Sequence, residues 1–154
     1  MIVFCGIQAS GKTTYYVQNF LNTHIRISLD LLNTRFKEAT IMDSCFSVWQ
    51  RIVIDNTNPG ADVRKAYTIK AREKKYKTIC YYFKSTVDES IERNNKRIGK
   101  AKVEDVAIFS CKKDLEIPGP VEDFDEIWEI CLQPDGSYKK TILFEKKLFG
   151  DKTV

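Results

Sequence analysis

The sequence predicts an α/β domain: a mostly parallel five-stranded sheet flanked by helices, with a β-hairpin at its C-terminal end. Three observations predict it. Short β-branched or aromatic runs alternate with longer helical stretches, the pattern that builds parallel sheets from crossover units. A glycine-containing loop, "GIQASGKTT", joins the first such run to the first helix. The alternation then stops at Pro134-Asp135-Gly136-Ser137, a strong turn signal between two strand-like runs.

In chain order, "IVFC" (2–5) is the first strand and 12–21 the first helix. "IRIS" (25–28) precedes a helix over 30–48, and "RIVI" (51–54) precedes one over 60–74. "TICYYF" (78–83) is followed by a helix over 87–97, opened by Thr86, which caps with Glu89 three residues on. A helix over 103–115 ends before "EIPGPVED", where Pro118, Gly119 and Pro120 must break it. "EIWEI" (126–130) then begins a hairpin over about 126–147, and the 154 residues make one domain, 1–154.

Composition fits a soluble globular protein, 43% hydrophobic and 30% charged, without an apolar run long enough to cross a bilayer. No membrane partner is expected. The N-terminus lacks a basic leader and a cleavage site, so a cytoplasmic location is expected. Cys5, Cys45, Cys80, Cys111 and Cys131 form no CxxC pair and read as reduced, mostly buried side chains. The net charge of +4 decides nothing by itself, and the basic runs "KAREKKYK" and "FEKKLF" read as solvated faces. His24 reads as a surface or loop histidine, and Trp49, Trp128 and the tyrosines as core or rim.

Gly6, Gly11, Lys12 and Thr13 match GxxxxGK[ST] at every defined position, which adds a P-loop NTPase kinase fold to the prediction. Glycines let the N–H groups of residues such as Gln8, Ala9, Ser10 and Thr14 turn around phosphates; Lys12 reaches the terminal phosphates, and Thr13 ligates Mg²⁺. ATP and Mg²⁺ are therefore the expected cofactors. A GTPase switch is disfavoured because no NKxD segment occurs.

A phosphotransferase also needs a base and phosphate-holding cations. Asp30 ends "HIRISLD" at the sheet edge that carries the loop, where it reads as a base or as the cap of the next helix. In "RIVIDNTNP", Asp55 stands where a Walker-B carboxylate would, and Asn56, Thr57 and Asn58 are candidates for the acceptor pocket. Arg93 and Arg97 share a helix face that runs into a lid over about 94–104.

Together, "GIQASGKTT", "RISLD", "VIDNTNPGADVRKAY", "FKSTVDESIERNNKR" and "VEDV" resemble the kinase domain of the polynucleotide 5′-hydroxyl kinases, over residues 1 to about 131. The resemblance implies transfer of the γ-phosphate of ATP to a nucleic-acid 5′ end, with Asp30 as general base and Arg93 and Arg97 holding donor phosphates. It also implies an acceptor-side cation just before Asp30. Here Ser28 and Leu29 stand there, and Arg35 is the nearest candidate replacement. The alternatives are a kinase for a small hydroxylated metabolite, nucleoside or sugar nucleotide, and a non-catalytic ATP-binding protein.

Overall fold

The computed structural model describes residues 1–147; the end of the 1–154 domain expectation and of the "FEKKLF" run lies outside the described residues. Six strands, β1 (Ile2–Cys5), β2 (Ile25–Ile27), β3 (Ile52–Ile54), β4 (Ile79–Lys84), β5 (Glu126–Leu132) and β6 (Tyr138–Glu145), lie in the order β2-β3-β1-β4-β5-β6. Strands β2 to β5 and β1 are mutually parallel, and only β6 runs antiparallel, against β5. The expected fold class is the observed one.

Because β1 is central, both its faces are buried, and its residues alternate between two cores. Val3 and Cys5 join Ile27, Ile54, Tyr67 and Phe46 on one side, beneath α3 (Arg35–Ser47) and α4 (Ala61–Glu73). Ile2 and Phe4 join Tyr15, Tyr81 and Phe83 on the other, beneath α1 (Lys12–Asn19). Each valine, isoleucine or phenylalanine among them contributes about 1.5–3 kcal/mol through burial. A third cluster, Ile7, Ile108 and Cys111, seats α5 (Val87–Asn95) and α6 (Asp105–Asp114) beside the glycine loop.

The helix expected over 30–48 is two helices, α2 (Leu29–Leu32) and α3. Asn33 takes φ 65°, which asparagine tolerates, and Thr34 starts α3 by accepting the Lys37 N–H at 3.2 Å. Strand β2 stops at Ile27 because Ser28 already occupies the cap position of α2. Asp30 therefore neither ends a strand nor caps a helix; it lies in the first turn of α2. The Thr86–Glu89 capping box forms as expected.

Arg64 is fully buried and pairs bidentately with Glu122, at 2.6 and 2.8 Å. Its Nη1 also donates to the carbonyls of Asn58 and Pro59, at 2.9 and 2.6 Å. The pair clamps the turn after β3 from below. Removing one partner of such a pair strands a buried charge, at a cost of about 3–5 kcal/mol.

Candidate active site

The turn that follows β1 needs glycine at both ends. A Cβ on Gly6, at φ 149°, would lie 2.7 Å from the Phe83 carbonyl oxygen, and one on Gly11, at φ 96°, 2.9 Å from the Tyr138 hydroxyl. These glycines let the backbone from Gly6 to Gly11 close into a cradle at the N-terminus of α1. Tyr138 reaches it from β6 and donates to the Gly11 carbonyl at 2.9 Å. Gln8, Ala9 and Ser10 line the cavity above, about 810 Å³, and Thr14 lies exposed on α1.

Lys12 is buried and folded over its own loop, where Nζ donates to the carbonyls of Gly6 and Ile7 at 2.8 and 2.6 Å. Burial pushes its ammonium down to about 8 against the pull of Asp55. Two opposite trends in pH result. An unfolded lysine near 10.5 keeps its proton while the folded one has lost it, so stability of the free protein rises from pH about 8 to 10.5. Phosphate binding requires the charged form, so nucleotide affinity is expected to fall above about pH 8, by up to about tenfold per pH unit. Calorimetric titration with ATP at pH ~9, in buffers of different ionisation enthalpy, should register proton uptake; none would refute the assignment.

Asp55 leaves the end of β3 and is buried; its Oδ2 accepts from Thr13 Oγ1 at 2.9 Å. Arg26 of β2, which the sequence reading did not single out, donates from Nε to the same oxygen at 2.7 Å and from Nη2 to Thr13 Oγ1 at 3.3 Å. Among the described residues no three His, Cys, Asp or Glu side chains converge on a metal position. The hydroxyl–carboxylate pair, already drawing a guanidinium, nonetheless suits a hard cation that takes its other ligands from phosphate and water.

The three residues after Asp55 diverge. Asn56 accepts the Leu29 N–H at 2.8 Å and donates to Glu38 at 2.7 Å, bracing α2 at the cavity wall. Thr57 also lines the cavity, and its carbonyl accepts the Gly6 N–H at 2.9 Å. Asn58 turns into the core, donating to the Phe4 carbonyl at 2.7 Å, so its side chain does not face the cavity.

Asp30 is exposed and lines the same cavity as Arg97, Lys100 and the glycine loop. Arg35 does not line the cavity; it pairs with Glu38 at 2.8 Å and donates to the Tyr67 hydroxyl at 2.7 Å. Arg93 points into the loop rather than the cavity, donating to the Ala9 carbonyl at 2.7 Å and to Ser85. Arg97 lies just beyond α5 and does line the cavity, with Nη1 3.2 Å from the Ala101 carbonyl of a short 3₁₀ turn, Gly99–Ala101.

Over 98% of this chain, the sequence is 31% identical to a protein of Acanthamoeba polyphaga mimivirus named as a bifunctional polynucleotide phosphatase/kinase. The chain is thus similar in sequence to a polynucleotide phosphatase/kinase. It is 24% identical over 92% of its length to the Schizosaccharomyces pombe protein of that name. The chain spans only 35% and 36% of the length of these two relatives. No protein-family model matches. Among solved structures, one chain of the PezAT toxin-antitoxin system of Streptococcus pneumoniae has a TM-score of 0.60 at 16% identity, covering 90% of this chain and 70% of that one. Chaetomium thermophilum Kti12, solved with ADP-AlF3, has a TM-score of 0.59 at 17% identity, covering 84% of this chain and 88% of its own. At such identities these two likenesses speak for the P-loop kinase fold alone.

Proposed function

We propose that the chain is an ATP-dependent kinase that transfers the γ-phosphate to the 5′-hydroxyl end of a polynucleotide. The observation that carries this reading is convergence: the Lys12 loop, the Thr13–Asp55 pair, Asp30 and Arg97 all border one cavity. The names of the polynucleotide phosphatase/kinase relatives support a nucleic-acid acceptor, as does the cationic lining from Arg26, Arg97 and Lys100.

In this mechanism Lys12 leaves its loop carbonyls for the terminal phosphates, and the loop N–H groups hold the β-phosphate. A Mg²⁺ ion held by Thr13 and Asp55 would neutralise charge on the triphosphate. Asp30 accepts the proton of the 5′-hydroxyl as its oxygen bonds to the γ-phosphorus. The bond from that phosphorus to the β,γ-bridging oxygen breaks, leaving ADP. Arg97 stabilises the charge on the transferring group, and the 94–104 segment acts as the lid that carries it. Arg93 holds the lid helix to the loop through the Ala9 carbonyl.

Incubation with γ-labelled ATP and a panel of 5′-hydroxyl oligonucleotides, nucleosides and sugars tests the proposal. Label is expected on the oligonucleotides. Label on a small hydroxyl compound alone would make the chain a metabolite kinase, and no label at all would make it a nucleotide-binding protein.

A further inference from the structure

Arg26 bonds to both side chains that the proposed mechanism assigns to a divalent cation. Its Nε–H takes Asp55 Oδ2 at 2.7 Å, and its Nη2–H takes Thr13 Oγ1 at 3.3 Å. Its side chain is 21% exposed and the Asp55 side chain 2%, so the pair stands at the buried edge of the cavity. The Thr13 hydroxyl has two lone pairs, and the guanidinium takes one of them while its charge stands beside the other. A guanidinium and a dication a few ångströms apart repel strongly where water is scarce. Arginine and metal therefore compete for one place.

The rest of the cavity offers the released side chain a use. Asp30 and Asn33 line the same cavity as Arg26, while Ser28 and Leu29, just before Asp30, bring no charge. Arg35 is held outside by Glu38 and Tyr67. Nη1 of Arg26 makes no hydrogen bond among the described residues, so the fork is only partly used where it stands. A guanidinium matches the two oxygens of a phosphodiester.

We infer that Arg26 is an exchangeable counterion: it neutralises Asp55 before the metal–nucleotide complex binds, is displaced by the metal, and then holds the first phosphodiester of the acceptor strand beside Asp30. Its acceptor half rests on the polynucleotide-kinase reading; its metal half does not. Loading of the donor site would thereby complete the acceptor site.

The test measures affinity for a fluorescent ATP analogue in EDTA and in saturating Mn²⁺, for the whole chain and for Arg26→Gln and Arg26→Lys. The gain in affinity on adding Mn²⁺ is expected to be about tenfold larger in Arg26→Gln, because the competitor is gone, with Arg26→Lys in between. An unchanged or smaller gain would overturn the competition and make Arg26 a fixed support of Asp55. In steady-state transfer to a 5′-hydroxyl oligonucleotide, Arg26→Gln should raise the KM for the oligonucleotide about tenfold and reduce the slope of its salt dependence by about one. An unchanged KM and slope would overturn the acceptor half. A wild type that transfers nothing to oligonucleotides would refute the proposed function and, with it, the acceptor half, while the Mn²⁺ comparison would still decide the metal half.

Discussion

Lys12→Ala is expected to lower phosphoryl transfer by about a thousandfold or more while leaving the fold intact. In the free protein Lys12 spends its donors on the Gly6 and Ile7 carbonyls, contacts that hold a buried charge rather than join distant elements. Losing them unpairs two carbonyls but also removes a charge whose burial is unfavourable enough to bring its pKa down to about 8. These effects oppose each other, so the melting temperature without nucleotide should move by only a few degrees. With nucleotide the balance is one-sided, since the terminal phosphates lose their buried cation. Saturating ATP should raise the melting temperature of the wild type and raise that of the variant much less. Full turnover by Lys12→Ala would remove the phosphate-loop mechanism.

What could be read beforehand follows from how local each determinant is. Gly6, Gly11, Lys12 and Thr13 lie within eight consecutive positions, and their chemistry needs only a strand before them and a helix after. The Thr86–Glu89 box spans four positions and forms as read. Contacts between distant segments were not legible. Arg26 alternates with apolar neighbours in "IRIS" as any polar residue of an edge strand would, and only the pairing of β2 with β3 sets it beside Asp55, 29 positions away. The Tyr138 bond to the Gly11 carbonyl joins residues 127 apart and depends on how far β6 extends along β5. The break at Asn33 was available locally, because asparagine followed by threonine is both a helix end and a helix start, but the apolar spacing across it masked the signal. In "DNTN", the turn sets which amide faces the cavity: Asn58, at φ 43°, rotates away from the side that Asn56 takes.

Asp30→Asn should fold and bind ATP as the wild type does, yet lose phosphoryl transfer by about a hundredfold or more. Stability is spared because the Asp30 side chain is exposed and no hydrogen bond ties it to another described residue. The start of α2 is held instead by the Leu29 N–H bond to Asn56, which the substitution does not touch. A carboxylate in a first helical turn contributes about 0.3–1 kcal/mol through the helix dipole, the most that asparagine can forfeit there. ATP affinity is spared because the phosphate contacts belong to the glycine loop and not to α2. Transfer is lost because an amide of nearly the same shape cannot take the hydroxyl proton as the oxygen–phosphorus bond forms. The loss should fall on kcat, with the KM for the oligonucleotide changed little. A variant with normal melting and full transfer would refute Asp30 as the base, and a rise in KM at constant kcat would make it a binding residue for the acceptor end.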